Sequence, residues 1–256
     1  MRRLAFNNER AIGINRSRVT VIESGNPIEY SRKSSDMFSE IERHLTEDIT
    51  VINAMWGKND RQNRQSPIHQ EYALQEKLLI QQLEGSRAKY LSFGSIAEID
   101  DEQISPSWGT EYSKSKKQIC EFLASSSLQS IWLRIASCYG PEDNRDWLLT
   151  QLGKGWKSGE EFVIENPNQR LNLCHIDSLV KAALNLLGGI QTGIFNVTTD
   201  QWLTVAEIKN CFSTLVEPKY LARASGAFSH NDSEALIVST PLISEYFEYL
   251  KGDYKS

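Results

Sequence analysis

Between Ile49 and Val197 the chain alternates short runs of β-branched and aromatic residues with longer amphipathic stretches. Strands separated by helices cannot be joined by tight hairpins. They pair in parallel, with the helices crossing back over the sheet, so this rhythm specifies an α/β fold with helices on both faces. The strand runs are Ile49 to Ala54, Tyr90 to Phe93, Ile131 to Ala136 and Gly193 to Val197, and an earlier one spans Ala11 to Asn15. Helical spacing predicts helices over 35–45, capped by Ser34 or Ser35, from Pro67 to about Leu83, and from about Glu111 to Ala124. A clean stripe (Ile176, Leu179, Val180, Ala183, Leu184, Leu187) predicts another, closed by Gly188-Gly189. Thr204 and Glu207 have the spacing of a capping box that opens one more.

The rhythm breaks twice. Residues 141–170 are richer in Gly, Asn, Trp and charge, and the last forty or so are irregular. We therefore expect a Rossmann-like domain from 1–140 and 171–199, and a small substrate lobe from 141–170 and 200–256.

The bulk numbers narrow the function classes. The 256 residues are 40% hydrophobic and 24% charged, ordinary for a globular chain that can build a sizeable core. A net charge of −5 gives no basic field for nucleic acid or anionic membrane. No apolar run reaches the roughly 20 residues that span a bilayer. The N-terminus lacks the apolar stretch of a signal peptide, so a cytoplasmic location is expected. Cys120, Cys138, Cys174 and Cys211 are scattered, and read as reduced, mostly buried thiols. The four histidines show no metal-ligand spacing, so no metal is expected.

The chemistry gathers in Tyr112-Ser113-Lys114-Ser115-Lys116. On a helix, Tyr112 and Lys116 share a face. A nearby ammonium favours phenolate and lowers a phenol pKa that is normally about 10, giving a group able to donate or accept a proton near neutrality. Ser95 ends a central strand, where open α/β sheets place their ligands, and could hydrogen-bond the same substrate oxygen. A tyrosine and a lysine at this spacing also occur on solvated helix faces. The order strand, Gly94-Ser95, loop, Tyr112/Lys116 helix, then a strand running into Tyr139-Gly140-Pro141 is far more specific.

From about Ala11 to Thr204 the chain resembles the extended short-chain dehydrogenases, the group of nucleotide-sugar epimerases, dehydratases and reductases. Leu133-Arg134 leading to Tyr139-Gly140-Pro141, Gln169-Arg170 followed by His175-Ile176-Asp177, and Phe195-Asn196-Val197 are similar to successive segments of that family. The resemblance implies a catalytic set of Ser95, Tyr112 and Lys116, with Lys116 also contacting the nicotinamide ribose. It implies that Asn53 and Ala54 line the cofactor and that a nucleotide-sugar substrate is bound. Among reductase, dehydratase and epimerase, the short C-terminal lobe points to a 4-keto-sugar reductase. A possible homodimer is implied too. Arg170, after the first excursion, is the candidate for a substrate diphosphate. Arg134, in a strand that should be buried, needs an ion-pair partner or an anionic ligand. His175 reads as a satisfied residue at a helix entrance.

The front of the chain departs from the family. Its strand and glycine-rich phosphate turn have no counterpart, since Gly13 and Gly25 are the first glycines. If Ala11 to Asn15 is the second strand, the fold is N-terminally truncated. The chain is then either a shortened version of a longer protein or one that has lost the ordinary dinucleotide site. A lost central strand exposes sheet edges, so low stability or a partner filling the gap is expected. The supposed second strand runs into Asn15-Arg16-Ser17-Arg18, where the family's NAD users carry an acidic residue. Arg16 and Ser17 suit a 2′-phosphate, so NADP(H) is expected in preference to NAD(H). The rival reading is a non-catalytic relative that keeps the fold as a binding or regulatory module.

Overall fold

The computed structural model describes residues 11–14, 18–23, 26–31, 41–42, 45, 49–54, 56, 63–99, 109–141, 147–160, 162–214, 234–238 and 243–251. In chain order the elements are β1 (Ala11–Ile14), β2 (Arg18–Glu23), β3 (Asn26–Ser31), β4 (Thr50–Asn53), α1 (Ile68–Leu83) and β5 (Lys89–Ser95). Then come α2 (Glu111–Ser125), β6 (Gln129–Ile135), β7 (Ser137–Tyr139), α3 (Leu148–Ser158), β8 (Arg170–His175) and α4 (Ile176–Gly188). The last are β9 (Gly193–Thr198), β10 (Trp202–Thr204), α5 (Val205–Thr214), β11 (Glu234–Ile237) and α6 (Ile243–Lys251).

The main sheet has five strands in the order β11-β9-β6-β5-β4, every neighbouring pair parallel. This is the expected Rossmann-like sheet. Period-two alternation divides its side chains between two cores. Tyr90 and Trp132 face α1 and α2, where Ile80, Leu83, Ile119 and Leu123 cover them. Leu91, Ile131, Leu133 and Phe195 face the other way, against Leu179, Ala183 and Leu186 of α4. The expected helices over 67–83, 111–124 and 176–187 all form. Of the helix expected over 35–45, Ile41 and Glu42 are helical, and the rest lies almost wholly outside the described residues.

The front of the chain requires a correction. Ala11–Ile14 is not a strand of the parallel sheet. It pairs antiparallel with β2, and β2 pairs antiparallel with β3, in a separate three-stranded sheet. Glu23 pairs with Asn26, so two residues join β2 to β3, a spacing that favours a local hairpin over a long crossover. Arg16 and Ser17 themselves lie outside the described residues. Among the described strands, β4 forms one edge of the parallel sheet, with Ile52 37% exposed.

The back of the chain builds a second core. Leu149 and Leu152 of α3, Ile208 and Phe212 of α5, and Tyr246 and Phe247 of α6 pack together over Leu171 and Leu173. β8 lies in a small sheet of order β10-β8-β7, apart from the parallel sheet that β9 joins. Conversely β11, inside the span expected for the lobe, hydrogen-bonds to β9 and extends the main sheet. The capping box forms as read: Thr204 N donates to Glu207 Oε2 at 2.7 Å, and Glu207 N donates to Thr204 Oγ1 at 3.1 Å.

Candidate active site

The carboxyl ends of β4, β5 and β6 meet α1 and α2 at a buried polar cluster. Alternation that sends Tyr90 and Trp132 toward the helices also sends Ser92 and Arg134 there, two residues further along. The same sheet face is therefore apolar at its start and polar at its carboxyl end.

α2 begins at a well-defined point. Thr110 caps it, its Oγ1 accepting from Ser113 N at 3.3 Å. Tyr112 N donates to Arg64 O at 2.9 Å, and Gln70 Nε2 donates to Glu111 Oε2 at 2.9 Å. These contacts tie the first turn of α2 to the segment entering α1. Tyr112 and Lys116 then turn inward, 8% and 2% exposed. Both reach the same indole: the Trp56 ring meets Tyr112 edge-on at 6.0 Å between centroids, and lies 3.9 Å from Lys116 Nζ. The pair read from the sequence is thus brought together, around a residue the sequence reading had not singled out.

Lys116 Nζ donates to Phe93 O at 2.5 Å and lies 5.5 Å from the Trp132 ring. Burial pulls its pKa down to about 8, while the charges of Glu76 and Glu98 act in the opposite direction. Ser95 ends β5, as expected. Its Oγ accepts from Ala97 N at 3.2 Å, and its N–H donates to Glu98 Oε1 at 2.6 Å, so it caps the short turn Ile96–Glu98. That cap uses an oxygen lone pair of Ser95, and the hydroxyl proton is not part of it.

Two buried carboxylates frame this arrangement. Glu98 accepts from Arg134 Nε at 2.9 Å and Trp132 Nε1 at 3.0 Å. Burial raises its pKa, with Arg134 opposing. The ion-pair partner that Arg134 needed is therefore Glu98. A Cβ at Gly94 would collide with the Trp132 indole and the Glu98 carboxylate, so this junction requires glycine. Glu76 of α1 accepts from Trp56 Nε1 and Ser92 Oγ, each at 2.5 Å, and from Tyr90 Oη at 2.8 Å. Burial, and next the charge of Glu76, hold the Tyr90 phenol well above its ordinary pKa. Neither Trp56 nor Glu76 stood in a recognisable motif. The available signal was a lone glutamate on the largely apolar side of α1, which it shares with His69.

The remaining expected residues are more dispersed. Asn53 is 3% exposed, and its Nδ2 donates to Tyr90 Oη at 2.9 Å, while Ala54 is exposed. Arg170 begins β8, exposed, in the small sheet. His175 Nδ1 accepts from Asp177 N at 3.2 Å and caps α4, the structural role expected for it. All four cysteines are free. Among the described residues no His/Cys/Asp/Glu cluster could hold a metal, and no helix is long and apolar enough to cross a membrane.

No family model matches this chain, and no curated protein matches it either. Solved structures share its fold. An NAD-dependent NDP-hexosamine 5,6-dehydratase, TunA, involved in tunicamycin biosynthesis, superposes with a TM-score of 0.59 at 17% identity, over 68% of this chain and 62% of its own. The Bordetella bronchiseptica enzyme WbmG, in complex with NAD and UDP, gives 0.56 at 18% identity, over 86% of this chain and 73% of its own. The UDP-N-acetylglucosamine 4-epimerase of Methanobrevibacter ruminantium, in complex with UDP-N-acetylmuramic acid, gives 0.59 at 16% identity, over 83% and 77%. The chain thus spans less than two thirds of the first of these structures. The family resemblance read from the sequence is met at the level of the fold.

Proposed function

We propose that this chain binds a nicotinamide dinucleotide at the carboxyl end of its parallel sheet and acts on a nucleotide-activated sugar, with Tyr112 as the acid/base. The finer reading is reduction of a 4-keto sugar. One observation carries it: the Lys116 ammonium, buried and close to neutral range in pKa, sits one helical turn from Tyr112 against the end of the strand bearing Ser95. The fold neighbours, whose names include NAD and nucleotide sugars, support the reading.

The donor set suits the nicotinamide end of such a cofactor. A phenol, an ammonium and a hydroxyl are the donor types that a ribose and a carbonyl need. The pyrophosphate end has no matching glycine-rich turn among the described residues. When bound, the cofactor supplies the hydride. The chain supplies everything else. Tyr112 Oη gives its proton to the substrate oxygen and regains it from solvent. Lys116 stabilises the resulting phenolate by its charge. Ser95 orients the substrate oxygen. Arg170 is proposed for the substrate diphosphate, and a homodimer for the assembly.

NADPH belongs beside NADH in the test, because the preference expected from Arg16 and Ser17 assumed that Ala11 to Asn15 was the second strand of the parallel sheet, and Ala11–Ile14 pairs in a separate sheet instead. The chain is incubated with a UDP-4-keto sugar and each cofactor, following nicotinamide absorbance and the sugar product together. A 4-keto-sugar reductase consumes the cofactor and yields the alcohol. In a second assay with the UDP-sugar alcohol and the oxidised cofactor, an epimerase interconverts the 4-epimers with no net consumption. Binding without turnover in either assay supports the non-catalytic reading, which one feature favours: the Lys116 ammonium is already enclosed by protein.

A further inference from the structure

The enclosure of Lys116 is itself informative. On one side the ammonium meets the Phe93 carbonyl, and on the other the face of Trp56. The indole is firmly seated. Its Nε1 is tethered to Glu76 Oε2, it stacks on His69 with rings 5.8 Å apart and 9° from parallel, and it meets Tyr72 edge-on at 5.6 Å. Glu76 is 1% exposed and held by Tyr90 and Ser92 on its other oxygen, so the tether is anchored in the core. A ligand hydroxyl cannot reach Lys116 Nζ while the ring occupies that side. Trp56 itself sits outside regular secondary structure, three residues past the end of β4, so its ring can leave without breaking a strand or helix. A cavity of about 10 Å³, the size of one water, adjoins it between Asn53, Tyr72 and Glu76.

We propose that Trp56 is a displaceable lid over Lys116, latched by Glu76, and that a ligand engages the ammonium only after the indole has left it. This rests on the reading of Lys116 as a ligand-contacting group. The apparent affinity for the ligand is then reduced by the fraction of molecules in which the lid is open. Because the same ring also abuts Tyr112, opening uncovers both members of the pair at once.

The test compares wild type with Trp56→Ala in two measurements. The first is acetylation of individual lysines near pH 8, quantified by peptide mass spectrometry. At that pH burial leaves much of the Lys116 amine unprotonated, so slow labelling reports shielding and not protonation. Lys114, whose side chain is 59% exposed, is the internal reference. The lid predicts that Lys116 is protected in wild type and labels on the order of tenfold faster in W56A, with Lys114 unchanged. The second is NADH titration, in which W56A should bind more tightly than wild type. If W56A does not unfold cooperatively, Trp56→Phe replaces it: the ring remains but the latch to Glu76 is lost, and the same directions are expected.

Equal labelling of Lys116 in wild type and variant overturns the lid. So does faster labelling with weaker NADH binding, which would make the indole a platform for the ligand. Unmasking of Lys116 with no NADH binding in either protein would instead sink the dinucleotide reading and leave the lid standing.

Discussion

Arg134 Nε and Glu98 Oε2 are 2.9 Å apart, with side chains 5% and 0% exposed. A buried pair of this kind is costly to break from one side, because the remaining charge has no solvent to return to. Arg134→Ala or Glu98→Ala should each lower stability by about 3–5 kcal/mol. Arg134→Ala with Glu98→Ala should together cost much less than the two single losses combined. Urea midpoints of the four proteins check this. Additive losses would mean that the two groups do not depend on one another.

Lys116 gives stability a pH dependence of known sign. Its pKa is about 8 in the folded chain, against an ordinary value of 10.5. Between these values the unfolded chain holds a proton that the folded chain has released, so raising pH through this window favours folding. Below about 8 both states are charged and the slope vanishes. The difference in unfolding free energy between wild type and Lys116→Met should therefore rise from about pH 8 upward. A flat difference would place the ammonium in contact with solvent.

Tyr112→Phe removes the proposed acid/base while keeping the ring against Trp56 and His69. Turnover of the 4-keto sugar should fall by about 10²–10⁴, with dinucleotide affinity little changed. In wild type the rate should decline as pH rises above about 8, where Lys116 loses the charge that stabilises the phenolate. Steady-state kinetics across pH, with cofactor titrations beside them, measure both. Retained turnover in the phenylalanine variant would assign the proton to another group.

Thr204 closes both halves of its capping box with Glu207. Thr204→Ala should cost about 0.5–2 kcal/mol through α5 and the second core it supports. Thermal melts are sufficient to read this. No change would mean that α5 is held by packing alone.

Much of this was legible in the sequence where local chemistry and tertiary demand agree. Pro67 at the start of α1, Thr204 before α5, the apolar stripe of α4 and the alternating strands all point one way. Tyr112 and Lys116 were legible because helical spacing alone puts them on one face. Trp56 and Glu76 were not, because their meaning depends on contacts between α1, β5 and a segment outside regular structure, which no spacing encodes. The misplacement of Ala11–Ile14 has a different cause. A short apolar run pairs equally well in a local hairpin or a distant parallel sheet, and the alternation of 18–31 was the overlooked sign of the hairpin. β11 was missed because its four residues carry too little pattern to stand out from a loop.

Titration of the purified chain with NADH, and with NADPH beside it, followed through tryptophan fluorescence, tests the central claim most directly. A dinucleotide site around Tyr112 and Lys116 predicts saturable binding in the micromolar range, with a signal change that is diminished in Trp56→Phe. Absence of binding at millimolar cofactor would contradict the account and leave the chain as a non-catalytic member of this fold.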